Sequence, residues 1–257
     1  CRVLDATAKG LSAEVSPIWG DVPRRVLVLD ASRPRFEMAA PARAGDSAVH
    51  VRRTVDASGG PVVVNERVRL TGVMAQWMRD FAREHDRPVL EQWAGSVVTS
   101  HVRLAVIKSI ELRNLDGSEA PLEIEVVYEA PGSLTSHSDG SRLRLAAPWE
   151  REYFERTAVA DRLSPWAARW AWTMDSATEV IGAPGSRLDA EAVADADGSE
   201  GPLEWHSRFQ DGPGKGTLTL TATHSATTHA ADRYAPYCQE VSKALSAIDR
   251  ELLLRTP

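Results

Sequence analysis

Thiols, imidazoles and carboxylates are the groups through which this chain could make or break an acyl bond. A cysteine nucleophile needs an imidazole base close in space and a lowered thiol pKa. The two cysteines are Cys1 and Cys238. Cys1 opens a strand-like run. Cys238 shares the inner face of a helical stripe with Tyr234, Tyr237 and Val241, so a buried structural thiol is expected there. The seven histidines include no HExxH pair, no pair at i, i+4 and no cysteine partner at zinc spacing. His224 and His229 stand five apart, which suits neither a helix face nor a strand face. A turn at 211–214 would set His206 opposite Thr219, away from His224. Asp189, Asp195, Asp197 and Glu200 form an acidic stretch that lacks one acid before Gly198 for a calcium loop, and it reads as a solvated turn. Gly212-Pro213-Gly214-Lys215-Gly216 joins two strands instead of opening a helix, so no phosphate cradle is expected. No cofactor and no metal site is expected from these residues.

Tryptophans offer a different chemistry. Trp166, Trp170 and Trp172 cluster with Met174, and positions 170, 172 and 174 share one strand face at period two. Exposed, these rings would stack on sugars or on a partner chain. Buried, they would fill a core, which is the stronger reading because Thr173 and Asp175 supply a polar alternate face. Trp166, Trp170 and Trp172 are the candidate ligand-binding residues.

The elements that must position these groups read as mostly strands. Val49, Val51, Arg53 and Val55 run into Gly59-Gly60, and residues 61–70 return, which predicts a hairpin. Helical spacing follows: Val73, Trp77 and Phe81, then Val89, Leu90, Trp93 and Val97, giving two short helices over 72–98 joined near Asp86. Strands are predicted at 102–107, 110–113, 122–128, 142–147, 168–181, 186–194, 203–210 and 215–224, divided by Asp-Gly turns. A terminal helix carries Tyr234, Tyr237, Cys238, Val241, Leu245, Ile248 and Leu252 on one stripe, with Asp232 as N-cap. The expected fold is mainly β (α+β): an antiparallel β-sandwich with two helices after the first hairpin and an amphipathic C-terminal helix.

Composition bounds the class. The chain has 257 residues, of which 43% are hydrophobic and 26% charged, as in a folded globular protein. Its formal charge of −6 argues against a nucleic-acid partner, which asks for a basic face. No apolar run reaches the ~18 residues of a membrane helix. The opening Cys1-Arg2-Val3-Leu4-Asp5 reads as the interior of a strand, so part of a longer protein is expected.

The string Val3-Leu4-Asp5-Ala6-Thr7-Ala8-Lys9-Gly10, with Ile18-Trp19-Gly20 and Arg25-Val26-Leu27-Val28-Leu29-Asp30, resembles the end of a bacterial transglutaminase-like domain. In that family a helix-borne Cys, a strand-borne His and an Asp on the next strand form a papain-type triad, and the Asp commonly stands in an L-D-[AP]-T context. The resemblance makes Asp5 the acid that would orient the His. Arg52-Arg53-Thr54-Val55, Arg69-Leu70-Thr71-Gly72, Pro148-Trp149 and Tyr234-Ala235-Pro236-Tyr237 fall where proteins of this kind carry similar pieces. The family's Cys and His precede the Asp by tens of residues, whereas only Cys1 precedes Asp5 here and the first histidine is His50. Cys1 lies on the same predicted strand as Asp5 and is no helix-borne nucleophile.

The resemblance therefore implies residues 1–45 as the tail of a transglutaminase-like domain and 46–257 as a β-sandwich accessory domain. The implied function is a non-catalytic accessory or binding module, with a transglutaminase-like catalytic domain as partner in cis or trans and a protein or glycan ligand. It also implies a periplasmic or extracellular setting. Two alternatives stand beside it: part of an active cysteine protease or amidase whose Cys and His lie upstream, and a free-standing β-sandwich that binds carbohydrate or protein through the Trp stripe.

Overall fold

In the computed structural model, the described residues are 25–28, 33, 35–38, 43–116, 120–138, 140–155, 166–168, 171–189 and 194–255. Asp5, Cys1 and Trp170 lie outside them, as does most of the segment 1–45, of which a short hairpin of β1 (Arg25–Val28) and β2 (Arg35–Met38) and residues 33 and 43–45 are described.

Alternation of apolar and polar residues builds the main body. Strand β3 (Ala48–Ala57) buries Val49, Val51 and Val55, and β4 (Val63–Leu70) buries Val64, Val68 and Leu70. Apart from Val63, their outward alternates are polar, so each strand has one dry and one wet face. The two pair antiparallel as predicted, and Gly60 takes φ +73° in the turn between them.

Helix α1 (Gly72–Glu84) follows, then α2 (Arg87–His101), close to the predicted pair. Gly72 begins α1 at φ +57°, where an added Cβ would stand 2.1 Å from the Asp46 carbonyl oxygen. Hydroxyls on either side tie this corner down: Thr71 accepts from the Ala48 N–H at 3.0 Å and Ser47 from the Val73 N–H at 3.0 Å. Asp86 caps α2 by accepting from the Val89 N–H at 3.3 Å, and Pro88 lies in the first turn, where its missing N–H costs nothing. Helix α2 runs on through residues 98–101, which displaces the predicted strand at 102–107. Strand β5 (Val106–Arg113) begins later and pairs with β6 (Leu122–Glu129).

A short hairpin of β7 (Leu134–His137) and β8 (Gly140–Arg144) leads into α3 (Pro148–Glu155), an element that periodicity did not suggest. Strand β9 (Trp166–Ala168) precedes β10 (Trp172–Gly182), and β11 (Arg187–Asp189) and β12 (Ala196–Glu200) follow. The long hairpin of β13 (Leu203–Gly212) and β14 (Lys215–His224) sets His206 opposite Thr221, two pairs along from the expected Thr219. Strand β15 (Thr227–His229) pairs with β9.

The terminal helix α4 (Tyr234–Ser246) starts after a 3-10 turn, Ala231–Arg233, that contains Asp232; Asp232 is thus not its N-cap. The helix also stops before Leu252. That residue belongs to β16 (Glu251–Arg255), because the stripe's last apolar residues alternate at period two and enter a sheet.

Two sheets organise the described residues. The larger has the order β12-β13-β14-β10-β3-β4-β6-β5, and the smaller the order β11-β16-β8-β7. The fold is mainly β, as expected. It departs from a purely antiparallel sandwich in two respects. Strands β3 and β10 run parallel, with Thr173 beside Ala48 and Gly182 beside Ala57. The layer over the inner face of the large sheet is shared: α4 lies on β12 and β13, α2 on β5 and β6, α3 between α2 and α4, and β11 of the small sheet reaches β13 and β14. Between these layers Trp149, Phe154, Trp172, Tyr128 and Tyr237 form the largest fully buried side chains. None of the helices among the described residues is long and apolar enough to cross a membrane.

Candidate functional site

The polar chemistry of the described residues gathers in two places, on opposite faces of the large sheet.

The first is inside. Arg53 on β3 and Glu66 on β4 occupy inward positions of otherwise apolar strands, side by side in the core. Arg53 donates its Nε–H to Glu66, and its two terminal nitrogens to Glu150 Oε1 at 3.2 Å and Oε2 at 2.9 Å. Thr178 on β10 accepts a further Arg53 N–H at 2.9 Å. Glu66 also accepts from the Tyr128 hydroxyl at 3.2 Å and from the Trp149 indole N–H at 2.8 Å, while Ser176 donates to Glu150. Both carboxylates are fully shielded from solvent. Burial raises the Glu66 carboxyl above the usual carboxylate range, against the opposing pull of Arg53. Burial acts on Glu150 in the same direction, but the Arg53 charge, its hydrogen bonds and the Ser176 hydroxyl outweigh it and hold Glu150 low. Burial and the neighbouring Glu66 charge push the Tyr128 phenol well up. A cavity of about 10 Å³, lined by Arg53, Tyr128, Val64, Val102 and Leu145 among others, borders the cluster. That is roughly the space of one water molecule and far below a substrate pocket. The arrangement gives every nitrogen of Arg53 a partner inside the fold, which is the geometry of a structural ion network.

The second place is the outer face. It carries the outward residues of seven adjacent strands, and pairing registers order them in rows. One row reads His206, Thr221, Asp175, His50, Arg69, Glu123 and Arg113, and the next reads Arg208, Thr219, Ala177, Arg52, Arg67, Glu125 and Glu111. Arg52 holds Asp175 Oδ2 at 2.5 Å, His50 Nδ1 lies 3.6 Å from the same oxygen, and Arg67 holds Glu125 at 3.2 Å. Despite partial burial, the Asp175 carboxyl is held low by Arg52 and His50. Arg52, Arg67 and Arg69 on this face are exposed. The face can offer charge and hydrogen bonds across a broad, flat surface.

The residues singled out from sequence fare differently. Asp5 and Trp170 fall outside the described residues, and for Trp166 only its place in β9 is described. Trp172 is fully buried at 1% exposure, stacked on His224 with ring centroids 5.2 Å apart and edge-on to Phe154 at 5.4 Å. It fills the core and does not present a ring to a ligand, which corrects its reading as a binding residue; inward alternation with Met174 puts it there. His224 Nε2 lies 3.2 Å from the Tyr237 hydroxyl, so that imidazole is also built into the core. Cys238 is a free thiol, half-buried on α4 against the core cluster, more open than expected. Among the described residues no group of three or more His, Cys, Asp and Glu gathers as a metal site. The Arg53–Glu66–Glu150 cluster went unread, although Arg53 and Glu66 each stand at inward positions of an apolar alternation.

Comparison with family models finds no match, and none of the curated proteins matches the chain.

Proposed function

We propose that this chain is a non-catalytic accessory module that engages a protein partner through the outer face of its large sheet. The observation that carries this reading is the division of labour between the two faces. The inner face is closed by helices and the small sheet, and its charges are consumed by one another. The outer face leaves ordered rows of basic, acidic and hydroxyl side chains toward solvent across adjacent strands. A surface of that breadth and polarity suits association by charge and hydrogen bonding. The resemblance around Asp5 names the companion: a bacterial transglutaminase-like catalytic domain, in cis or trans, in the periplasm or outside the cell. Its alternative, an active cysteine protease or amidase with Cys and His upstream, rests on the same Asp5 context. The burial of Trp172 weighs against the reading as a carbohydrate binder using a Trp stripe.

An amidase and acyl-transfer assay of the full chain tests the non-catalytic reading, with Cys238→Ser as the paired variant. Equal background for both is expected. Turnover that disappears in Cys238→Ser overturns the reading.

A further inference from the structure

We infer that the basic stripe of β3 and β4 on the outer face, centred on Arg69, binds an extended acidic segment of a partner protein. This deepens the proposed function and rests on its reading of the outer face as a binding surface.

The stripe places an imidazole against a guanidinium and, beside them, two guanidinium groups against each other. His50 on β3 stands directly opposite Arg69 on β4, and Arg52 directly opposite Arg67. Opposed like charges on neighbouring strands are destabilising unless something compensates them. Three of the four have compensation in the fold. Asp175 serves Arg52 and lies near His50, and Glu125 serves Arg67. Arg69 does not: it is exposed and makes no ion pair or hydrogen bond among the described residues. The nearest acid across the ladder, Glu123, is directed to Arg113 at 3.6 Å. An exposed guanidinium fork two residues from Arg67 on the same strand is matched best by a carboxylate, which it can grip with two parallel N–H donors.

The surroundings select the shape of the ligand. The stripe is two strands wide, roughly 10 Å at about 4.8 Å per strand. On one side it is bounded by Asp175 and Glu179 of β10, and on the other by Glu123, Glu125 and Glu129 of β6. These acidic borders repel a broad polyanion such as a nucleic-acid duplex. They tolerate a narrow chain lying along the strands. Arg67 and Arg69 are two residues apart on β4, about 7 Å along the strand, which is the repeat of same-side residues in another extended chain. Carboxylates at alternate positions of an extended segment therefore fall in register with them.

A fluorescein-labelled peptide of alternating Glu and Ser, titrated with the full chain at low salt and read by fluorescence anisotropy, tests this. Binding is expected to weaken by about tenfold or more in Arg69→Glu and in Arg67→Glu/Arg69→Glu, and to be kept in Arg208→Glu, a charge reversal on β13 of the same face. Arg69→Gln serves as the milder variant, and thermal unfolding shows that each variant is folded. Binding that is absent at millimolar peptide, that survives the double reversal, or that falls equally in Arg208→Glu overturns the inference. So does tighter binding of a heparin fragment of equal charge than of the peptide. None of these results bears on the Cys238 assay, so the two readings fail separately.

Discussion

At the scale of single residues, the strongest constraint is the guanidinium of Arg53. Among the described residues it is the only cation in contact with two fully buried carboxylates, and removing it leaves both without that counter-charge. Breaking a buried ion pair by deleting one partner costs about 3–5 kcal/mol. Arg53→Met is expected to lower unfolding free energy by that order in chemical denaturation, and a loss below about 1 kcal/mol would show that the network is dispensable. The two carboxylates make opposite contributions to pH dependence. Glu150, held low, adds stability above the ordinary glutamate value that is lost as pH falls through its depressed value. Glu66, pushed up, favours the fold at low pH, and that contribution is lost as pH rises from the ordinary glutamate value through its raised one. Glu66→Gln is therefore expected to flatten the decline of melting temperature over the window above the ordinary glutamate value and to keep the loss in acid. A decline as steep as in the unaltered chain would place that titration elsewhere.

The cluster also shows what could be read from sequence and what could not. Arg53 and Glu66 interrupt two apolar alternations at inward positions, and opposite charges at such places point to a buried pair. Glu150 has no such mark, because α3 is short and the tertiary fold alone brings it over the sheet. Trp172 was legible for the same reason as Arg53: period-two alternation fixes which face a strand residue takes.

At the scale of elements, the helix pair after the first hairpin was legible, although α2 runs three residues past the expected end at 98. Its signals are local: Asp86 followed by Pro88, and glycine at the entry. The terminal stripe misled because Ile248 and Leu252 continue a helical spacing by coincidence while the chain turns into β16. Gly72 is the most exacting of the local signals. Its positive φ and its 2.1 Å approach to the Asp46 carbonyl leave no place for a methyl group. Gly72→Ala is expected to cost about 1–3 kcal/mol and to detach the start of α1, observable as lost protection of the Val73 amide that Ser47 now accepts from. An unchanged melt would show that the corner between β3 and α1 relaxes freely.

At the scale of the whole molecule, the parallel contact of β3 with β10 decides the architecture. It joins strands more than a hundred residues apart in the chain, and no local pattern announces such a partner. A purely antiparallel sandwich was expected from the density of turns, and the mixed sheet is the outcome of that one non-local pairing. Its position at the sheet's centre makes it the last region to open. Amides of β3, β4 and β10 are expected to exchange with solvent only on global unfolding, and those of β7, a four-residue edge strand, through local fluctuation. Hydrogen exchange read by mass spectrometry checks the order, and equal rates in β3 and β7 would contradict it.

The buried charges lie astride that same seam. Arg53, Glu66 and Tyr128 come from the part of the chain before Gly132, and Trp149, Glu150, Ser176 and Thr178 from the part after it. Severed at Gly132, the polypeptide becomes two fragments whose mating edges are coded by polarity as well as shape. Sliding one past the other by a single repeat would bury ions without counterparts, so reassembly admits one alignment. The network acts as a lock on how the two halves find each other.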